Sequence, residues 1–212
     1  MKEKLNYLYI FLPIPIVLFG LLVLKNAFLT ILFYHIFMIS VLVINKAPIN
    51  FKDFFKGWDT KWGLLLIIGG LSTGFIALLF WNLIFLTDIP FTTQLEKIGL
   101  SKSNWFLFLL YFSVINPVIE EVFWRGYFRD KNIRFNLECV GFASYHLFVL
   151  YFFVKIYWLP VVFIFLFIAS IFWKIIYKKY EGLLVPLISH VLADLSIVFA
   201  VTVVLFGLLS KI

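Results

Sequence analysis

The chain has 212 residues, 64% of them hydrophobic and 14% charged, with 28 Phe, 10 Tyr and 7 Trp and a mean hydropathy of +1.06. A soluble domain of this size has no interior large enough for so much apolar surface, so the composition points to a bilayer as solvent. The net charge of +7 reads as the basic loops that orient a membrane protein, not as a nucleic-acid surface. The single Cys139 excludes an internal disulfide and a cysteine-rich metal site.

Apolar runs predict helices over about 7–24, 27–45, 62–86, 104–128, 136–154, 157–176 and 183–209. The first run follows Lys2 and Lys4 in the manner of a signal peptide. It has no small-x-small cleavage site, however, and Lys25-Asn26 leads straight into the next run, so it reads as a retained helix. Pro13 and Pro15 make it the least regular of the set. Phe51, Phe54, Phe55, Trp58 and Trp62 recur at helical spacing, with Lys52, Lys56 and Asp59 off that stripe, which predicts a short helix in the headgroup region. Gly69, Gly70, Ser72 and Gly74 predict a close helix contact on the third span. The fifth and sixth runs, separated by Lys155 and its neighbours, predict a tight hairpin.

The expected architecture is therefore an all-α, polytopic membrane helix bundle of about seven spans, forming one integral-membrane domain over 1–212. With seven spans, Lys2, Lys4, Lys46, Lys52, Lys56, Lys61, Arg129, Lys131, Arg134, Lys174, Lys178 and Lys179 fall on one side. Lys25, Lys97, Lys102, Lys155 and Lys211 fall on the other. Twelve against five places the N-terminus in the cytoplasm of a multi-pass cell-membrane protein.

Three polar pairs interrupt these apolar runs, each spaced i, i+4: Glu121 with Arg125, Phe142 with His146, and His190 with Asp194. Residues four apart stack on one helix face, so each pair can interact directly. Glu120 lies about 100° around from Glu121, which leaves it the free carboxylate while Glu121 pairs with Arg125. Counted from the helix ends, Glu120, His146 and His190 all sit roughly 10–15 Å inside the same boundary. Ionisable groups at membrane depth are costly and are retained where they are paired or functional. Asn116-Pro117, one turn before Glu120, predicts a kink beside that carboxylate. His35 has no ionisable neighbour in sequence and reads as an interhelical hydrogen-bonding residue.

These residues resemble the pattern of the CPBP intramembrane proteases, the family of CAAX proteases and bacteriocin-processing enzymes also called Abi. The pattern reads here as Glu120-Glu121-Val-Phe-Trp-Arg125, Phe142-Ala-Ser-Tyr-His146 and His190-Val-Leu-Ala-Asp194, preceded by Glu181-Gly182-Leu183-Leu184-Val185-Pro186. The resemblance covers roughly 104–200. It implies a glutamate-dependent, metal-independent endopeptidase working within the membrane on a membrane-associated peptide or protein near the cytoplasmic face. Glu120 and His146 would activate water, while His190 and the residue at 194 stabilise the oxyanion. Glu121, Arg125, Phe142 and Asn116 would support the site. Asp194 stands where the family also has Asn, and an ionised aspartate cannot donate to an oxyanion. Its expected role is to orient and charge His190.

No cofactor is expected. A zinc enzyme with Glu120, His146 and His190 as ligands is the chemical alternative, although no HExxH helix is present. A non-catalytic immunity protein or partner of a membrane sensor is the functional alternative within the same family. The short chain with its compact N-terminal region is more similar to bacterial members, which favours a small membrane-associated peptide as substrate.

Overall fold

The computed structural model describes residues 2–47, 50–129, 131 and 133–208, with side chains from Leu5 onward. Lys211 and the side chains of Lys2 and Lys4, which entered the charge count, lie outside the described residues. The described residues form helices joined by turns, with one antiparallel bridge between Phe85 and Val154.

Seven segments build the bundle: α1 (Leu5–Val23), α2 (Ala27–Ile44), α3 (Thr60–Leu79), α4 (Trp105–Tyr127), α5 (Leu137–Leu150), α6 (Leu159–Tyr180) and α7 (Leu184–Leu205). Among the described residues, six helices are long and apolar enough to cross a membrane; α5, with 14 residues, is not one of them. At 1.5 Å per residue α5 covers about 21 Å, short of the roughly 30 Å hydrocarbon core. Its two ends are nevertheless tied to opposite ends of the bundle. Lys174, near the end of α6, reaches both Asn136 (2.8 Å) and Glu138. Beyond α5 the chain makes one further hydrogen-bonded turn over 151–153, and the Leu86 amide donates to the Phe153 carbonyl (2.7 Å) past the far end of α3. This turn carries the chain on from where the helix stops. The expected hairpin follows, fastened where Lys155 Nζ donates to the Asn82 carbonyl and Trp158 Nε1 to that of Leu83.

The aromatic stripe at 51–62 is not one helix. Phe51–Phe55 form a single 3-10 stretch, Gly57 turns the chain at φ 88°, and Trp62 belongs to α3, which Asp59 caps by accepting from the Trp62 amide (2.9 Å). The physical reason lies at the start of α7, which has no side-chain cap. Its leading amides need acceptors, and the Asp53 and Lys56 carbonyls supply them to Leu183 (2.7 Å) and Leu184 (3.0 Å). Phe51 and Phe55 remain largely exposed.

The small-residue contact pairs α3 with α7, side by side and parallel. A Cβ at Gly74 would stand 2.0 Å from the Ser196 carbonyl oxygen, and one at Gly70 2.6 Å from that of Ser189. Thr73 and Ser196 hydroxyls bond across the seam (2.8 Å), and the Gly74 amide donates to Ser196 Oγ (3.1 Å). Gly69 faces open space, and Ser72 bonds back to its own helix at the Gly69 carbonyl, so neither belongs to the contact. The seam fixes the position of α7 and therefore of His190 and Asp194.

Helix α4 departs from α-geometry twice. Tyr111–Ile115 and Val122–Tyr127 are π turns, flanking the α turn Asn116–Glu121 that begins with Asn116-Pro117. Pro117 has no amide hydrogen to give back along the helix, and the widened turn before it absorbs the missing bond. The glutamate pair is thus presented between two π turns, a geometry frequent at functional sites.

Candidate active site

Both side chains of the glutamate pair are fully enclosed. Glu120 Oε1 accepts two phenolic hydroxyls, from Tyr34 on α2 (2.6 Å) and from Tyr145 on α5. The Trp124 indole donates to the Tyr34 oxygen (3.3 Å), and its ring lies parallel to that of Tyr145. Glu120 Oε2 has no hydrogen-bond partner and lies 3.5 Å from His190 Nε2. One oxygen of this carboxylate is therefore committed to tyrosines, and the other is open toward a histidine.

Glu121 has two partners instead of the single one expected. Its Oε2 ion-pairs with Arg125 Nε (3.3 Å), and its Oε1 accepts from His190 Nδ1 (2.8 Å). Arg125 is sandwiched between Phe142 (4.5 Å) and Trp173 (4.9 Å) and donates to Ser170 Oγ (3.3 Å). Trp173 also stacks on the His190 ring at 4.7 Å. Asp194 Oδ1 is 3.8 Å from His190 Nε2, beyond hydrogen-bond range. The orienting contact expected from Asp194 is made by Glu121, because the 2.8 Å bond to Nδ1 fixes the ring first.

His146 meets its helix partner through the backbone: Nδ1 donates to the Phe142 carbonyl at 2.7 Å, with the two rings edge to face. This leaves Nε2 as the acceptor, 3.1 Å from the Tyr145 hydroxyl. The structure thus joins Glu120 and His146 through Tyr145 and not by direct contact. Asn116 accepts from His35 Nε2 (3.0 Å), and His35 Nδ1 in turn accepts from Tyr111 (2.9 Å), the interhelical role expected of that histidine. His146 is half-buried and Asp194 partly exposed, so these two are the accessible members of a site whose glutamates are sealed.

Glu120, Glu121, Arg125, His190 and Asp194 therefore form one cluster, with His146 and Phe142 at its edge. Among the described residues no group of three His, Cys, Asp or Glu side chains is arranged to hold a metal ion. Sequence reasoning did not find Tyr34, Tyr145, Trp124 or Trp173. The only cues were adjacency, Tyr34 beside His35 and Tyr145 beside His146, in a chain with 10 tyrosines.

Residues 102–196 match the family model described as type II CAAX prenyl endopeptidase Rce1-like. The matched segment is similar to Rce1-like domains, in agreement with the resemblance to the CPBP proteases, and it contains all three motif pairs. No curated protein and no solved structure matches the chain. Six helices long and apolar enough to cross a membrane among the described residues make this a multi-pass membrane protein, similar over 102–196 to a membrane protease family. Tyr34 and the whole of α3 lie outside the matched segment.

Proposed function

We propose that this chain is a glutamate-dependent intramembrane endopeptidase that cleaves a membrane-associated peptide or protein, with its site toward the cytoplasmic end of the bundle. The observation that carries the reading is Glu120. It is a fully enclosed carboxylate with one oxygen saturated by phenols and the other without a partner, facing a histidine at 3.5 Å. Desolvating a carboxylate without neutralising it is costly, and a chain has reason to maintain such a group where it works as a base.

In this reading Glu120 Oε2 takes the proton of the attacking water as its oxygen bonds to the scissile carbonyl carbon, and that proton passes to the leaving amine when the C–N bond breaks. The protonated His190, held at Nδ1 by Glu121, offers Nε2–H to the developing oxyanion. A preorganised donor of this kind in a dry site contributes about 3–4 kcal/mol to the barrier reduction. Substrate approaches on the His146 and Asp194 side, the accessible edge.

The test compares membrane-associated peptides from cells carrying the wild-type chain or Glu120→Gln. Loss of product peptides with accumulation of their precursors is expected in the variant. Identical peptide profiles, with both proteins inserted and folded, would refute the proposal. The enclosure of Glu120 behind Tyr34 and Tyr145 favours a second reading, a non-catalytic immunity or sensor-partner protein. That reading requires the cellular phenotype to survive Glu120→Gln.

A further inference from the structure

We infer that Tyr145 is a positioning residue that couples Glu120 to His146, so that the two respond to protonation as one unit; this rests on the endopeptidase reading. The geometry allows the phenol a choice it must make. Tyr145 has one hydroxyl hydrogen, and both Glu120 Oε1 and His146 Nε2 are acceptors within its reach. His146 cannot turn its ring to release that arrangement without losing the 2.7 Å bond from Nδ1 to the Phe142 carbonyl. Trp124 and Phe142 pack against the Tyr145 ring and keep the hydroxyl between the two groups.

Two states follow. While Glu120 is a carboxylate, Oε1 is the stronger acceptor and Tyr145 donates to it. The His146 Nε2 lone pair then stays free on the accessible edge. Once Glu120 has taken the proton of water, Oε1 becomes a weaker acceptor, and the hydroxyl turns to His146. No covalent step is added, and the hydrogen count is unchanged: one phenolic hydrogen exchanges one acceptor for another.

Tyr34 provides the internal comparison. It donates to the same Glu120 oxygen at 2.6 Å, accepts from the Trp124 indole, and packs on the Tyr145 ring at 5.0 Å. It holds Glu120 in place, and any link from it to His146 runs through Tyr145.

The experiment uses the peptides that accumulate in Glu120→Gln cells, resynthesised with a quenched fluorophore, and the full chain in nanodiscs. Tyr145→Phe is expected to lower kcat by about 10²-fold with KM within about threefold. The double variant with His146→Gln should be no slower than His146→Gln alone, because the phenol acts through that histidine. Tyr34→Phe combined with His146→Gln should show multiplied losses. Tyr145→Phe at wild-type kcat, or a full product of the two losses in its double variant, overturns the inference. Incorporating 3-fluorotyrosine at 145 keeps shape and fold while making the hydroxyl more acidic. It should shift the pH–rate profile, and an unmoved profile overturns the coupling. If no precursor accumulates in Glu120→Gln cells, the endopeptidase reading itself fails, a result separate from an active enzyme indifferent to Tyr145.

Discussion

Replacing Glu121 by Gln removes one negative charge from the enclosed cluster and almost no volume. Arg125 is then left 1% exposed beside a neutral amide. Breaking a buried pair by neutralising one partner costs about 3–5 kcal/mol, because the remaining charge is desolvated without compensation. The Phe142 and Trp173 faces on either side of Arg125 keep part of their attraction, which argues for the lower value. About 3 kcal/mol in a chain of this length corresponds to a melting temperature lower by roughly 6–12 °C. Tryptophan fluorescence in detergent micelles reads the change directly, since Trp173 stacks on His190 and on Arg125. Replacing both partners, Glu121→Met with Arg125→Met, removes the orphaned guanidinium and should recover part of the lost melting temperature, with His190 Nδ1 still lacking its acceptor. That double variant should still cleave slowly, because His190 Nδ1 has lost its acceptor. A Glu121→Gln protein that melts with wild type, or a double variant no better than the single one, refutes this account.

Asp194→Asn should retain activity within about threefold, equivalent to less than 1 kcal/mol in the barrier, in a peptide-cleavage assay. Glu121 and not Asp194 holds the His190 ring, so a loss of a hundredfold would restore a required carboxylate at 194. At the α3–α7 seam, Gly74→Ala pushes a methyl into the Ser196 backbone and should cost about 1–3 kcal/mol. Gly69→Ala on the same helix meets nothing and should be neutral or stabilising by up to about 1 kcal/mol. Equal melting temperatures for the two variants would contradict the packing described.

What could be read from the sequence follows from what is rare in it. Charges and histidines are scarce in apolar runs, so Glu120, Glu121, His146 and His190 stand out, and four-residue spacing links each pair to one helix face. Tyrosines do not stand out among so many aromatic residues, and a hydroxyl donor 86 positions from its carboxylate, as Tyr34 is from Glu120, leaves no local trace. The Glu121 bond to His190 is hidden for a related reason. Spacing along one helix favours Arg125 as its partner, and only the packing of α7 against α4 adds the second. Hydropathy predicts a fifth span longer than the 14-residue helix observed, because the turn residues 151–153 are as apolar as helical ones. Periodicity also joined Phe51 to Trp62, since it cannot sense that backbone carbonyls there are needed by another helix. The glycine cluster was legible as a contact, but only geometry separates Gly70 and Gly74 from Gly69.

The seam between α3 and α7 bears on how such a protein can be rebuilt. The matched domain brings its own motif residues, yet the helix that clasps α7 and the tyrosine that holds Glu120 are both encoded upstream of it. A chimaera joining residues 102–196 to a foreign first half would inherit every motif letter and still lose two walls of the chamber. Modular exchange in this protein therefore has to respect two helices, α2 and α3, that the domain boundary leaves behind.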